Sequence, residues 1–209
     1  MKIFPDFTYE KELWDQQHTV IGIDEVGRGA FAGPVGVGGV VFRPNLTSDE
    51  LDSLLSLGIN DSKKLTAKKR QELSLKIKKL AYAYHIALIP VEVINEIGVG
   101  KATFLGMAEV AKKLSSKVTN PYLLIDAFEI PGFTNQKGII RGDCLSISIA
   151  AASIIAKVER DMLMDKLGAS FPKYGFAKHK GYGTLFHRQA LQEFGSCMHH
   201  RNDFVRHYV

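Results

Sequence analysis

Cysteines, long apolar runs and repeats are scarce or absent in this 209-residue chain, and each shortage excludes a class of protein. Its two cysteines, Cys144 and Cys197, are too few for the disulfide framework of a secreted domain, so we expect a cytoplasmic setting. No apolar run approaches the roughly 20 residues that a membrane span needs, and no signal-peptide core opens the chain. Repeats and linkers are also missing, which predicts one domain over residues 1–209.

The order of the elements predicts a mixed α/β fold. Strand-like apolar runs occupy five stretches, at 20–26, 35–42, 82–89, 121–126 and 138–141. The first two follow each other almost directly, which favours an antiparallel hairpin, and the later ones alternate with helical patterns. The longest helical pattern covers 145–167. We expect residues 1–17 to form a helical brace and residues from about 168 to 209 a helical C-terminal extension.

Four acids lie at or beside strand-like runs rather than on amphipathic helix faces. They are Asp24, Glu25, Asp126 and Asp143. Carboxylates that converge at strand ends repel one another unless cations hold them, and oxygen ligands favour Mg²⁺ or Mn²⁺. Two such ions activate a water and stabilise the leaving oxygen of a phosphodiester. The alternative is that each acid is an ordinary turn residue or helix cap, as Asp143 would be before the long helix.

The first acid pair is followed by a glycine-rich turn, Gly27-Arg28-Gly29. Its glycines allow the backbone to approach a ligand, and arginine suits a phosphate. The spacing formally fits a dinucleotide-binding fingerprint. That fingerprint requires a helix directly afterwards, whereas a valine- and glycine-rich strand follows here, so we do not expect a nicotinamide or flavin site.

Three basic or polar groups suit an anionic partner, which the net charge of +5 permits. Eight of the seventeen residues 63–79 are Lys or Arg, and they form either a solvated helix face or, with the polar loop at Lys63, a phosphate site. Ser146, Ser153, Lys157 and Arg160 form a polar stripe at helical spacing, of which Ser153, Lys157 and Arg160 are either a second such site or the solvated flank of a buried helix. The loop 178–183 places Tyr182 among bases, where it either stacks on a nucleic acid or packs on the core.

Taken in order, these blocks resemble the signature motifs of the ribonuclease HII family over nearly the whole chain. The matching blocks are Gly22-Ile-Asp-Glu-Val-Gly-Arg-Gly29 with Ala32-Gly-Pro-Val35, Asn60-Asp-Ser-Lys-Lys-Leu65, Leu124-Ile-Asp126, Arg141-Gly-Asp143, Ser153-Ile-Ile-Ala-Lys157 with Arg160-Asp161, and Tyr174-Gly-Phe176 through His179-Lys-Gly-Tyr182. Ala30-Phe31 departs from the Pro-Leu more usual after the turn.

The resemblance implies a ribonuclease H-like fold, with a mixed five-stranded sheet flanked by helices and a C-terminal helical extension. It implies cleavage of RNA paired to DNA, including a single ribonucleotide embedded in duplex DNA, to give 3′-hydroxyl and 5′-phosphate ends. The four acids match the family's catalytic ligands for Mg²⁺ or Mn²⁺, with two ions expected during catalysis. The substrate-binding residues that the resemblance implies are Gly27, Arg28 and Gly29 at the 2′-hydroxyl, Tyr182 at the neighbouring sugar, and Lys63, Ser153 and Lys157.

Two other functions stay open at this point. A non-catalytic nucleic-acid-binding module of the same fold predicts a damaged acid set, and another nuclease of the superfamily predicts cleavage of all-DNA substrates. The expected partners are RNA–DNA hybrid and ribonucleotide-containing duplex DNA, without a membrane. We expect a monomer, and a replication-clamp partner is left open.

Overall fold

A computed structural model describes residues 4–209, so the first three residues of the expected brace lie outside the described part. The helices are α1 (Thr8–Asp15), α2 (Ser48–Ser56), α3 (Ala67–Leu80), α4 (Val91–Ile97), α5 (Val99–Ser115), α6 (Ile147–Ser170), α7 (Phe176–His179), α8 (Leu185–Phe194) and α9 (Asn202–Val205). The strands are β1 (Thr19–Val26), β2 (Val35–Val41), β3 (Ala83–Ile89), β4 (Pro121–Asp126) and β5 (Gln136–Ile139). Within 4–209, no helix has both the length and the hydropathy needed to cross a membrane.

The five strands form one mixed sheet in the order β3-β2-β1-β4-β5, which confirms the expected sheet. Strand β1 pairs antiparallel with β2, as the short connection predicted, and parallel with β4. The parallel pairing aligns Ile23 with Ile125, so Asp24 and Asp126 follow at the same level of the sheet. The topology therefore brings together acids that are about a hundred residues apart in sequence.

Helices cover both faces of the sheet. One face carries α4 and α5 over a core that includes Ile21, Ile23 and Met107. The other carries α3 and α6, with Leu73 and Ile155 in its core. Most β1 and β2 residues are accordingly buried, and this is why these strands are continuously apolar rather than alternating.

Helix α6 lies directly on the backbone of the sheet. A Cβ at Gly22 of β1 would overlap the main chain of Ser148, and one at Gly38 of β2 would overlap the carbonyl of Ala152. Glycine is required at both positions for this close approach. The cleft described below is therefore built where a helix and two strands touch without intervening side chains.

The start of α6 corrects the alternative role for Asp143. Ser146 is the N-cap, and its hydroxyl accepts a hydrogen bond from the Ile149 amide at 3.2 Å. Glu10 of α1 reinforces this end, because its buried carboxylate accepts from the Ser146 hydroxyl at 2.6 Å and the Ser148 amide at 2.9 Å. Helix α1 therefore supports the segment that carries Asp143.

Candidate active site

The first acid pair lies at the C-terminal end of β1. Asp24 is buried, and its Oδ1 accepts a hydrogen bond from the Glu25 amide at 2.7 Å. Asp24 points to the α6 side of the sheet, where the Ser153 hydroxyl stabilises its charged form. Ser153 in turn shares a hydrogen bond of 3.0 Å with Ser62. The carboxylate of Asp24 on β1 thus faces the polar side chain of Ser153 on α6.

The other two acids approach the pair from β4 and the segment before α6. Asp126 ends β4, and its Oδ1 accepts from the Gly142 amide at 2.7 Å. This bond holds the turn that carries Asp143. The carboxylates of Glu25, Asp126 and Asp143 all lie close enough to Asp24 to raise its pKa by repulsion. The structure therefore brings the four predicted acids to one place.

Burial makes these carboxylates hard to ionise. Desolvation raises the pKa of Asp24 well above its usual value, and repulsion from the other acids adds to it. Desolvation and the charge of Asp126 likewise raise the pKa of Glu25. Desolvation and then the charge of Asp143 raise that of Asp126, against the Gly142 hydrogen bond. A bound cation would remove this penalty.

The donor atoms fit a hard cation. The buried Oε2 of Glu25 has no hydrogen-bond partner among residues 4–209, so it is free to coordinate an ion. Asp61, Asp143 and Cys144 form a second group, with potential ligand atoms within 4.8 Å of one another. The Lys64 ammonium lies 3.6 Å from both the Asp61 carboxylate and the Cys144 sulfur, and so already supplies a positive charge there.

A cleft of about 410 Å³ opens beside Asp24. Its walls are Asp24, Glu25, Val26, Gly27, Arg28, Gly29, Ser62, Lys63, Ser153, Lys157 and Tyr182. Every predicted substrate-binding residue lines it. Of the predicted acids, Asp126 and Asp143 do not line it. Both raise the pKa of Asp24 through their charge, and Asp126 also raises that of Glu25.

The Gly27–Gly29 turn forms one rim of the cleft. Gly27 has a φ of +79°, which L side chains rarely adopt, and the Ala30 amide closes the turn on the Gly27 carbonyl at 3.2 Å. Arg28 is exposed, and its guanidinium lies 4.7 Å from the centre of the Phe128 ring. Ala30 is fully buried, so the departure from the family pattern does not open the turn.

Tyr182 and two lysines form the opposite rim. The Tyr182 ring is 37% exposed, and the Lys157 ammonium lies 5.6 Å from its centre. Lys157 also donates to Asp161 at 2.7 Å, which fixes its position. Partial burial lowers the pKa of Lys63, but the carboxylates of Asp143 and Asp24 outweigh this effect and the pKa is raised. This rim is therefore a positive, partly aromatic surface facing the acids.

Of the two interpretations of the polar stripe on α6, the solvated flank is wrong for Ser153 and Arg160. Ser146, Ser153 and Arg160 are buried, and only Lys157 is partly exposed. Helical spacing places residues on one face, but it does not reveal that distant segments cover that face. Glu10 accepts from Ser146, Ser62 shares a hydrogen bond with Ser153, and the Lys180 carbonyl accepts from Arg160. The sequence indicated Arg160 only as a member of this stripe and of a family motif, and it did not identify a second buried arginine, Arg201, as a functional residue.

Three histidines pack beneath the Tyr182 loop. The Nε2 atoms of His187 and His200 lie 3.1 Å apart, and the rings of His179 and His187 stack at 4.4 Å. Nδ1 of His187 is 3.0 Å from the Tyr182 carbonyl. Burial lowers the pKa of His187 and of His200 to about 4. The histidines are therefore neutral at physiological pH and hold the loop by hydrogen bonds.

Comparison with known proteins points to one family. The profile of the family Ribonuclease HII matches residues 21–208. Ribonuclease HII of Caldicellulosiruptor bescii is 41% identical over 215 aligned positions, covering 100% of this chain and 99% of that protein. Ribonuclease HII of Ruminiclostridium cellulolyticum is 44% identical over 191, covering 91% and 71%. A chain in the solved PCNA:RNase HII complex from Archaeoglobus fulgidus superposes with a TM-score of 0.68 at 30% identity, covering 84% of this chain and 86% of that one.

Proposed function

The chain belongs to the ribonuclease HII family, and on this premise we propose that it cuts RNA paired with DNA, including single ribonucleotides embedded in duplex DNA. The products would carry 3′-hydroxyl and 5′-phosphate ends. The observation that supports this best is the cleft itself, where buried carboxylates face the Gly27–Gly29 turn and Tyr182. In this proposal, the groups that act on the phosphate and those that recognise the sugar share one cleft.

Asp24, Glu25, Asp126 and Asp143 are the proposed catalytic acids and the ligands of Mg²⁺ or Mn²⁺, with two ions during catalysis. The raised pKa values and the unpartnered Glu25 oxygen support this set. When bound, such ions supply a water nucleophile at neutral pH and charge stabilisation for the leaving oxygen. The chain's own part is to hold its carboxylates together and to shield them from bulk water.

The remaining cleft residues would bind and orient the substrate. Gly27, Arg28 and Gly29 would present backbone groups and a guanidinium to the ribose and its phosphate, since the 2′-hydroxyl distinguishes RNA from DNA. Lys63 and Lys157 would hold phosphates, and the Ser153 hydroxyl would orient Asp24. Tyr182 would pack on the sugar next to the ribonucleotide.

Two observations disfavour the other functions. A non-catalytic module has no need for four clustered acids at the cost of their mutual repulsion. A nuclease for all-DNA substrates has no need for a turn that requires glycine at a positive φ directly beside the first acid pair. A monomeric state, a cytoplasmic location and a sliding-clamp partner for this chain are further proposals, which sedimentation, fractionation and a clamp pull-down would test.

One gel tests the proposed function. A duplex with one ribonucleotide, a full RNA–DNA hybrid and an all-DNA duplex are incubated with Mg²⁺, Mn²⁺ or chelator. We expect cleavage of the first two substrates with either metal and none with chelator. Cleavage of the all-DNA duplex at a similar rate, or cleavage in chelator, would contradict the proposal.

A further inference from the structure

Arg160 and Arg201 are fully buried, yet neither forms an ion pair with an acid among residues 4–209. All six hydrogen bonds of their side chains go to main-chain carbonyls. Arg160 donates to Pro34 at 2.8 Å, Lys180 at 2.9 Å and Ala32 at 3.1 Å, and Arg201 donates to Gly33 at 2.9 and 2.8 Å and to Arg28 at 2.8 Å. Burying a guanidinium without a carboxylate is costly, so its bonds to these carbonyls require an explanation.

The six bonds tie together the two rims of the cleft. Arg201 holds the carbonyl of Arg28 inside the glycine turn, and Arg160 holds the carbonyl of Lys180 in the Tyr182 loop. Main-chain bonds from Phe31 and Ala32 to the Gly181 carbonyl, at 2.8 and 3.2 Å, strengthen the same junction. The turn and the tyrosine loop are thus one rigid unit, although about 150 residues separate them in sequence.

The bond from Arg201 also acts on one particular amide. The carbonyl of Arg28 and the N–H of Gly29 belong to the same peptide group, so a charged donor on the carbonyl polarises the N–H and makes it a stronger donor. Among residues 4–209 the Gly29 amide donates to no main-chain or side-chain acceptor, and Gly29 lines the cleft. It is therefore free to bind an oxygen of the substrate.

We infer that Arg160 and Arg201 are positioning residues for ribose recognition. Arg201 orients and polarises the Gly29 amide that meets the ribose, and Arg160 fixes the distance from that turn to Tyr182. This inference rests on the proposed function, because it assigns a role to two residues that do not line the cleft themselves. It predicts that the two arginines affect selectivity for the sugar rather than affinity for duplex DNA.

Binding without catalysis tests the inference. In chelator, the Kd of the protein is measured by fluorescence anisotropy for a duplex with one ribonucleotide and for the same duplex in all-DNA form. We expect Arg201→Lys and Arg160→Lys, which keep the charge but lose the forked geometry, to reduce the preference for the ribonucleotide about tenfold. Their affinity for the all-DNA duplex should stay within about twofold, and the exposed Arg206→Lys should change neither value.

The possible outcomes separate the hypotheses. If both affinities fall together and the preference is kept, the arginines have only a structural role and the inference is overturned. If the wild-type protein shows no preference for the ribonucleotide, sugar recognition at the turn fails, and the inference fails with it. Should a lysine variant not fold, the Gly29 amide is followed by NMR in the wild-type protein. Its resonance should move with the ribonucleotide duplex and stay unchanged with the all-DNA duplex, and equal shifts would overturn the inference.

Discussion

The guanidinium of Arg160 occupies the space that a side chain at position 27 would need. A Cβ built on Gly27 would overlap the Nε and Cζ atoms of Arg160, and the positive φ of Gly27 adds backbone strain. The glycine is thus required both by its conformation and by a buried arginine from a distant helix. The shape of the turn therefore depends on α6 as well as on its own residues.

Gly27→Ala should destabilise the protein by about 1–3 kcal/mol, because it combines overlap with an unfavourable φ. Cleavage at a single ribonucleotide should fall at least tenfold. Gly29→Ala is the matched control, since nothing lies within 4 Å of a Cβ there and its φ is not positive. Urea unfolding of both variants checks the difference, and equal losses of stability would contradict the role of Arg160.

Asp24→Asn should abolish cleavage and stabilise the metal-free protein, because it removes a buried charge that three neighbouring carboxylates repel. Duplex binding should be largely kept, since the lysines remain. Thermal unfolding with and without Mg²⁺ measures the effect, and the ion should stabilise the wild-type protein far more than the variant. Glu72→Gln, an exposed change on α3, is the control. Full activity of Asp24→Asn would rule out the metal assignment.

Tyr182→Ala should impair cleavage at a single embedded ribonucleotide more than cleavage of a long hybrid. The partly exposed ring has the Lys157 ammonium 5.6 Å and the Arg160 guanidinium 5.7 Å from its centre, so its loss removes a surface for the neighbouring sugar. Tyr182→Phe keeps the ring and should retain most activity on both substrates. Steady-state cleavage rates on the two substrates test this prediction. Equal rate losses on both substrates in Tyr182→Ala would count against a role for Tyr182 in recognising the sugar next to the ribonucleotide.

Acid should destabilise the fold through the histidines beneath the Tyr182 loop. His187 and His200 have a pKa of about 4 in the folded protein and about 6.5 when unfolded, so the unfolded chain binds protons first as the pH falls. Stability is then lost between about pH 6.5 and pH 4, by up to about 3 kcal/mol for a histidine that titrates independently.

Unfolding free energies of wild type and His187→Gln, measured from pH 7.5 to pH 4, check this dependence. The variant should show a shallower slope, and the exposed His207→Gln should match the wild type. The raised pKa values of the cleft carboxylates have the opposite effect, since they increase stability as the pH falls. This contribution is the same in all three proteins and does not affect the comparison. Parallel curves for wild type and His187→Gln would contradict the assignment.

Glu10→Ala should cost about 1–3 kcal/mol, because it leaves the Ser146 hydroxyl and the Ser148 amide without their buried acceptor. Since Asp143 lies just before this end of α6, the affinity for Mn²⁺ should fall as well. Glu12→Ala, an exposed change on α1, should alter neither quantity. Thermal unfolding and Mn²⁺ titration measure both effects, and unchanged Mn²⁺ affinity would separate α1 from the site.

The sequence was sufficient where local pattern decides the outcome. The apolar runs predicted the five strands, and the close spacing of the first two predicted their antiparallel pairing. The convergence of Asp24 with Asp126 could not be predicted from the spacing of the two acids in the sequence, because it depends on the parallel pairing of β1 with β4. It was expected only through the resemblance to a known family.

Long-range burial was the part that local pattern could not supply. Arg160 stands in a polar stripe at helical spacing, and nothing nearby in sequence shows that it is buried against the carbonyls of Pro34, Ala32 and Lys180. The N-cap of α6 illustrates the same limit, since Asp143 and Ser146 are both good capping residues. The actual cap is decided by the 3₁₀ turn that precedes the helix.

At Gly22 and Gly38, helix α6 lies against bare main chain, so the separation of this helix from β1 and β2 is set by peptide dimensions rather than by side-chain volume. We expect apolar substitutions elsewhere in the core to change the free energy of unfolding and to leave the separation of Asp24 from Ser153 unchanged. The stability of the fold and the geometry of the acids would then depend on different contacts, the first on apolar core packing and the second on the contact of α6 with the strand backbone.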